Sequence, residues 1–320
     1  MSVELPASQW VDLDGPVHWI DFGGPDDGPL LVCVHGLGGS HVNWAAVAPD
    51  LATTCRVVAL DLAGFGHTPG AGRSTSVQAN ARLVVRFLEE VAGAPAVLVG
   101  NSMGGLISNL VAAQRPDLVA GLVLVDPALP VSLRAKPDPL TTGMFAAYFT
   151  PGLGKAVIAG RKRVRTAEQL AMDTLRLCCV DPSRVPKAVL REHIHLAKTR
   201  KQYAEMEAEF VTATRSLVWL LARRRAHTAM LRRYTGPVLL IHGDRDRLVS
   251  IASAREAAKA NPAWRFEVAH DIGHVPQLEA PGWTRDVVLD WLATDGVSAA
   301  DAARGTAQSP QLRSGRGAVQ

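Results

Sequence analysis

The chain has 320 residues, of which 48% are hydrophobic and 20% charged, with a formal net charge of +4. That length buries a sizeable core in one domain, or in one domain plus an insertion. No apolar run approaches the length needed to cross a bilayer. The N-terminal Met1-Ser2-Val3-Glu4-Leu5-Pro6 has neither a basic nor an apolar signal region, so no secretory signal is expected. Cys33, Cys55, Cys178 and Cys179 show no metal-like spacing. They are expected to be reduced thiols in a cytoplasmic protein, the first two as small core residues.

Taken in order, Trp10 to Leu13 and Val17 to Phe22 are short β-like runs joined by Asp14-Gly15, which predicts a hairpin. Leu30 to Val34 is a continuous apolar strand that ends in His35-Gly36-Leu37-Gly38-Gly39-Ser40, and a helix is expected over Asn43 to Leu51. Arg56 to Leu60 is the next strand, followed by Asp61 and Gly64-Phe65-Gly66. Ser76 to Val91 carries Val77, Ala81, Val84, Val85 and Leu88 on one helical face. Ala96 to Val99 predicts a fully buried strand, and Leu106 to Gln114 a helix. Leu122 to Val125 closes on Asp126-Pro127.

The alternation then breaks. From about Leu129 to Tyr234 no buried strand is visible, and helices are expected over Thr166 to Cys179, Pro186 to Lys198 and Glu205 to Thr228. Strand character resumes at Val238 to Ile241, followed by helix Ala252 to Ala260, strand Trp264 to Ala269 and helix Trp283 to Leu292. Alternating strands and helices imply an α/β chain with a mostly parallel, doubly wound sheet. The division expected is a core from 1–128 and 235–294, a helical cap from 129–234, and a disordered tail from 295–320. Active sites in such sheets lie beyond the carboxyl ends of the strands, where all these glycine-rich loops fall.

Between the buried strand and its helix sits Gly100-Asn101-Ser102-Met103-Gly104, a Gly-x-Ser-x-Gly in the strand–turn–helix context of a nucleophile elbow. Glycines there let strand and helix approach closely around a strained serine. A serine hydroxyl is a weak nucleophile that needs a base, and the base needs an orienting carboxylate. Two loops on the same sheet edge offer both. One is His242-Gly243-Asp244-Arg245-Asp246; the other runs from His270 through Gly273-His274 to Glu279. Asp126 and Asp61 also end strands, Asp61 being more readily a loop-bracing carboxylate. His35 and His242 suit hydrogen bonds to loop backbone, and His193 and His195 suit a helix surface or packing.

Together His35-Gly36, Asp61 with Gly64-Phe65-Gly66, the elbow at Ser102, Gly243-x-x-Asp246 and Gly273-His274 resemble the serine-type α/β-hydrolase-fold family over nearly all of residues 8 to 294. The resemblance implies Ser102 as nucleophile, His274 as general base and then acid, and Asp246 as orienting carboxylate, with Asp126 as the alternative acid. It implies the Leu37 and Met103 amides as oxyanion donors. The activity implied is hydrolysis of a carboxylic ester of a small or medium, largely apolar substrate through an acyl-enzyme. The alternatives are a carbon–carbon bond hydrolase of the meta-cleavage-product type, whose elbow is similar but which usually carries Trp where Val275 stands, and a slow-turnover ligand receptor. Dehalogenases and epoxide hydrolases of this fold place aspartate at the elbow.

No cofactor and no metal are expected: the glycine loops supply neither a Walker lysine nor Gly-x-Gly-x-x-Gly opening a helix. Residues 131 to 233 hold about twenty Lys and Arg against about eight Asp and Glu, including Arg161-Lys162-Arg163 and Arg223-Arg224-Arg225. A solvated surface explains this. The sharper expectation is an attraction for an acidic substrate tail or an anionic membrane surface. Nucleic acid is not expected, because aromatics are scarce there and no binding motif is present.

Overall fold

A computed structural model of the chain describes residues 5–294 except 71, 133, 136, 137, 151, 202 and 204. The tail expected over 295–320 lies outside the described residues. Eight strands, β1 (Ser8–Asp12), β2 (Pro16–Gly23), β3 (Leu30–Val34), β4 (Arg56–Leu60), β5 (Ala96–Asn101), β6 (Val119–Val125), β7 (Val238–Gly243) and β8 (Arg265–Ala269), form one sheet. Their order is β1-β2-β4-β3-β5-β6-β7-β8. β1 pairs antiparallel with β2, and β2 with β4; every other pairing is parallel. The β1–β2 turn uses Asp14 and Gly15, with φ of 58° and 122°. Two successive positive φ values suit the twist of a tight hairpin.

The interior strands are apolar on both faces because both are covered. Val32, Val34, Leu98, Leu122 and Leu124 point into one layer of core, and Leu31, Cys33, Val97, Val99 and Val123 into the other. Successive side chains of one strand thus serve opposite layers. Each fully buried leucine or valine contributes about 2 kcal/mol. All four cysteines are free thiols, and burial pushes every one of them up.

The helices between strands are α1 (Ala48–Leu51), α2 (Val77–Phe87) and α3 (Met103–Gln114). Between β6 and β7 come α4 (Pro139–Phe149), α5 (Leu153–Val164), α6 (Ala167–Cys178), α7 (Lys187–Arg200), α8 (Met206–Ala222) and α9 (Arg224–Leu231). α10 (Ile251–Ala260), α11 (Pro276–Glu279) and α12 (Pro281–Thr294) follow β7 and β8. Among the described residues no helix is long and apolar enough to cross a membrane.

Three local expectations change. The helix expected over Asn43 to Leu51 is a 3₁₀ turn at His41–Trp44 followed by the short α1. Ser40 and Asn43 cap each other's backbone and start a turn early, and Pro49 lacks the N–H that would continue one helix through the segment. The single helix expected over Glu205 to Thr228 breaks at Arg223, whose guanidinium carbon lies 3.4 Å from the centroid of the Trp219 ring. α3 begins at Met103 rather than Leu106, directly after Ser102.

Buried imidazoles give the fold a pH dependence. Burial pushes His35, His67, His193 and His227 each down to about 4. In the unfolded chain each titrates near about 6.5. Between these values the unfolded chain takes up protons that the native state refuses, so stability is full above about pH 6.5 and is lost as pH falls toward 4. Asp126, raised by burial, acts in the opposite direction, but as one group against these four and His242, which burial also lowers. For the fully buried His35 the slope is up to about 1.4 kcal/mol per pH unit. Urea unfolding should give a distinctly lower midpoint at pH 5 than at pH 7. An equal or higher midpoint at pH 5 would show that these rings are charged in the native state.

Candidate active site

β5 runs buried to its end and delivers Ser102 at the carboxyl edge of the sheet. Ser102 has φ 55° and ψ −119°, a region that L-residues avoid. Such backbone costs about 1–3 kcal/mol and persists only where its surroundings hold it. Here the Ser102 N–H donates to the Val125 carbonyl (3.0 Å), and the Ser102 carbonyl accepts from Ala128 N–H (2.9 Å). Gly104 is obligatory: a Cβ there would stand 2.1 Å from the Val34 carbonyl oxygen. As N-cap of α3, Ser102 sits beside the first backbone N–H groups of that helix, Met103 foremost, which lack intrahelical acceptors.

His274 and Asp246 come to the same edge from the loops after β8 and β7. His274 Nδ1 lies 2.7 Å from Asp246 Oδ2. The other carboxylate oxygen of Asp246 accepts from the Leu248 and Val249 amides, at 2.7 and 3.0 Å. Burial alone would raise the Asp246 carboxyl, but the imidazole of His274, their hydrogen bond, His242 and the Val249 amide together hold it below the ordinary carboxylate range. Asp126 is different. Its Oδ1 accepts from Gly243 N–H (2.9 Å), and its Oδ2 is buried without a donor among the described residues. Burial, then the neighbouring Asp246 carboxylate, push it well above the usual range. Two carboxylates in one dry space disfavour each other's ionisation, and the pair is driven apart, Asp126 up and Asp246 down.

Ser102, Asp246, His274 and Leu37 line one cavity of about 1010 Å³, open between the sheet edge and helices α4 to α8. Met103 itself turns its side chain into the core, leaving only its backbone for the site. Other strand-end residues brace loops. Asp61 accepts from the His41 and His67 amides (2.7 and 2.8 Å) and from the Nδ1 atoms of His18 and His41. His35 bonds the Gly36 carbonyl and the Leu62 amide, and His242 the Val249 carbonyl. His270 pairs with Asp244 at the surface. His193 lines the cavity, while His195 faces solvent.

Two groups at this site are not singled out by sequence. The Asn101 side-chain amide donates both to the Val125 carbonyl (3.0 Å) and to the His274 carbonyl (3.1 Å), tying the elbow to the histidine loop. The end of α6 reaches the same loop: His274 N–H donates to the Cys178 carbonyl at 2.6 Å. Gly273 permits that approach, since a Cβ would lie 2.2 Å from that carbonyl. Glu279, buried, accepts from the Gly273, Val180 and Asp181 amides and faces Arg184. An asparagine within a Gly-x-Ser-x-Gly motif signals nothing about its partner 173 positions away.

Comparison with known proteins identifies the family. The chain is 28% identical over 294 residues to the dihydrolipoyllysine-residue acetyltransferase component of the acetoin cleaving system of Pseudomonas putida, covering 90% of this chain and 70% of that protein. It is 24% identical over 276 residues to a monoacylglycerol lipase of Homo sapiens, covering 85% of this chain and 77% of that protein. The haloalkane dehalogenase DbeA of Bradyrhizobium elkani USDA94 superposes with a TM-score of 0.77 at 23% identity, over 92% of this chain and 99% of that one. The sequence profile of the alpha/beta hydrolase fold matches residues 29–281. With that match over most of its length, and an eight-stranded sheet of the corresponding kind, the chain belongs to the alpha/beta hydrolase fold family.

Proposed function

We propose that the chain is a serine hydrolase that cleaves a carboxylic ester through an acyl-enzyme. The observation that carries this reading is the pairing of a strained, cavity-lining Ser102 with a buried His274–Asp246 hydrogen bond of 2.7 Å on the same edge. Lipase relatives support the hydrolase class. Ser102 Oγ attacks the ester carbonyl while His274 Nε2 takes its proton. The backbone N–H groups of Leu37 and Met103 stabilise the oxyanion. His274 returns the proton to the leaving alcohol as the tetrahedral carbon–oxygen bond breaks. Water, deprotonated by the same nitrogen, then attacks the acyl-enzyme and frees the acid and Ser102. Asp246 stays ionised and stabilises the imidazolium.

The test is a substrate panel run on the wild type and Ser102→Ala: nitrophenyl esters of graded chain length, monoacylglycerols, and dienoate diketones. The expected outcome is serine-dependent turnover of esters and none of the diketones. Serine-dependent turnover confined to the diketones would replace this reading with carbon–carbon bond hydrolysis. Turnover of nothing, with tight binding of a ligand, would replace it with a receptor.

A further inference from the structure

The cavity is apolar in most of its lining, yet six cations reach its wall against two acids, Asp138 and Asp246. Most of these cations are already neutralised. Arg161 pairs with Asp173 (3.4 Å), Lys162 with Glu207 (3.1 Å), Arg224 with Glu256 (3.9 Å) and Arg247 with Asp138 (3.2 Å). Arg165 and Arg176 outside the cavity converge on Asp173 too. Most of the charge on the cavity wall itself thus has a carboxylate partner close by.

Two are exceptions, both at the end of α7: Lys201, whose Nζ donates to the Arg165 carbonyl at 2.9 Å, and Arg200, the one with a planar fork. Its Nη1 and Nη2 donate to the carbonyls of Gly66 and Gly64, at 2.9 and 2.7 Å, and its guanidinium carbon lies 5.9 Å from the centroid of the Phe65 ring. A guanidinium carries five N–H donors; these bonds use two. Among the described residues no carboxylate pairs with it. The acids whose charge reaches it are otherwise engaged: Glu209 accepts the Gly70 amide at 2.8 Å, and Asp61 is ringed by amides and imidazoles. Two carbonyl bonds would need no permanent charge, and a desolvated cation with no carboxylate in contact is costly. The Gly64–Gly66 loop and Phe65 fix the guanidinium plane at the cavity wall, and Phe65 in turn meets the ring of His35, next to the Gly36 that abuts Ser102. A fixed fork of this kind matches the geometry of a carboxylate or phosphate.

We propose that Arg200 is an anion-recognising group of this cavity, and that the substrate is an amphiphile whose apolar body ends in a carboxylate or a phosphate. The substrate half rests on the ester-hydrolase reading above; the anion site does not.

The experiment has a binding arm and a turnover arm. In the first, Ser102→Ala protein is titrated calorimetrically with decanoate, decyl phosphate and decanol. Both anions should bind about ten- to a hundredfold more tightly than decanol, as a charge-assisted bond in a partly dry site allows. Adding Arg200→Gln should shrink that preference to within about threefold, and Arg200→Lys should keep part of it. Exposed Arg163→Glu should keep all of it. The larger of the two anion preferences assigns carboxylate or phosphate. In the second arm, the nitrophenyl monoester of suberic acid is compared with its methyl-capped counterpart. The free acid should be preferred, mainly through KM, and Arg200→Gln should erase the preference.

No anion preference with Arg200 intact overturns the proposal. So does a preference that survives Arg200→Gln, or one that Arg163→Glu abolishes equally. Should Arg200→Gln fail to fold, undiminished preference in Arg200→Lys, which lacks the planar fork, also overturns it. If no ester is turned over while Arg200-dependent anion binding persists, the ester reading falls and the anion site stands.

Discussion

Ser102→Ala should lower ester turnover by about five to six orders of magnitude while leaving the fold intact, since loss of the nucleophile of such a constellation removes nearly everything except binding and oxyanion stabilisation. The substitution removes one oxygen at a position whose backbone is held by Val125 and Ala128, so the elbow has no reason to collapse. Removing the strained serine's hydroxyl does not relieve its φ of 55°, and the unfolding midpoint should move little. A fluorophosphonate probe should form its adduct on Ser102 alone, found by peptide mapping. His274→Ala should slow that labelling severely, because the hydroxyl then has no base. Labelling of Ser102→Ala at the wild-type rate would move the nucleophile elsewhere.

Asp246→Asn should cost about 10⁴-fold in kcat. The asparagine oxygen can still accept from Leu248 and Val249, which keeps the loop. Its amide then faces His274 Nδ1 with N–H against N–H, which favours the wrong tautomer and leaves the imidazolium without a negative partner. Asp126→Asn should behave in the opposite way. Burial and the neighbouring Asp246 push the Asp126 carboxyl up, so it is the easier of the two to replace by a neutral amide, whose oxygen still accepts from Gly243 N–H. Its turnover should stay within about tenfold of wild type. A large loss at Asp126 with Asp246→Asn near wild type would transfer the orienting role to Asp126.

Much of this was legible because the chemistry is written at strand ends. The continuous apolar runs of β3, β5 and β7 mark a parallel sheet, and each ends in the glycine-rich or acidic loop that supplies the site. Where sequence left two carboxylates open, geometry separates them: Asp246, not Asp126, stands against His274 Nδ1. Local signals fail where distant groups act. Nothing near Asn101 announces His274, and nothing near Cys178 announces that its carbonyl will seat the histidine's amide. The break at Arg223 lacks glycine and proline, the usual punctuation, so periodicity runs straight across it. Arg200 looks like one cation among about twenty until its neighbours' partners are known.

The bond from His274 to Cys178, with Glu279 gathering Gly273, Val180 and Asp181, has a mechanical consequence. On that side the helical segment and the His274 loop are riveted into one piece, and prising α6 from the sheet edge would unseat the imidazole. α4 and α5 pack on each other and on α8. α4 also reaches the sheet edge, since Thr141 Oγ1 donates to the Arg247 carbonyl (3.1 Å) and Asp138 pairs with Arg247, so the loops of both His274 and Asp246 carry a strut from the helical segment.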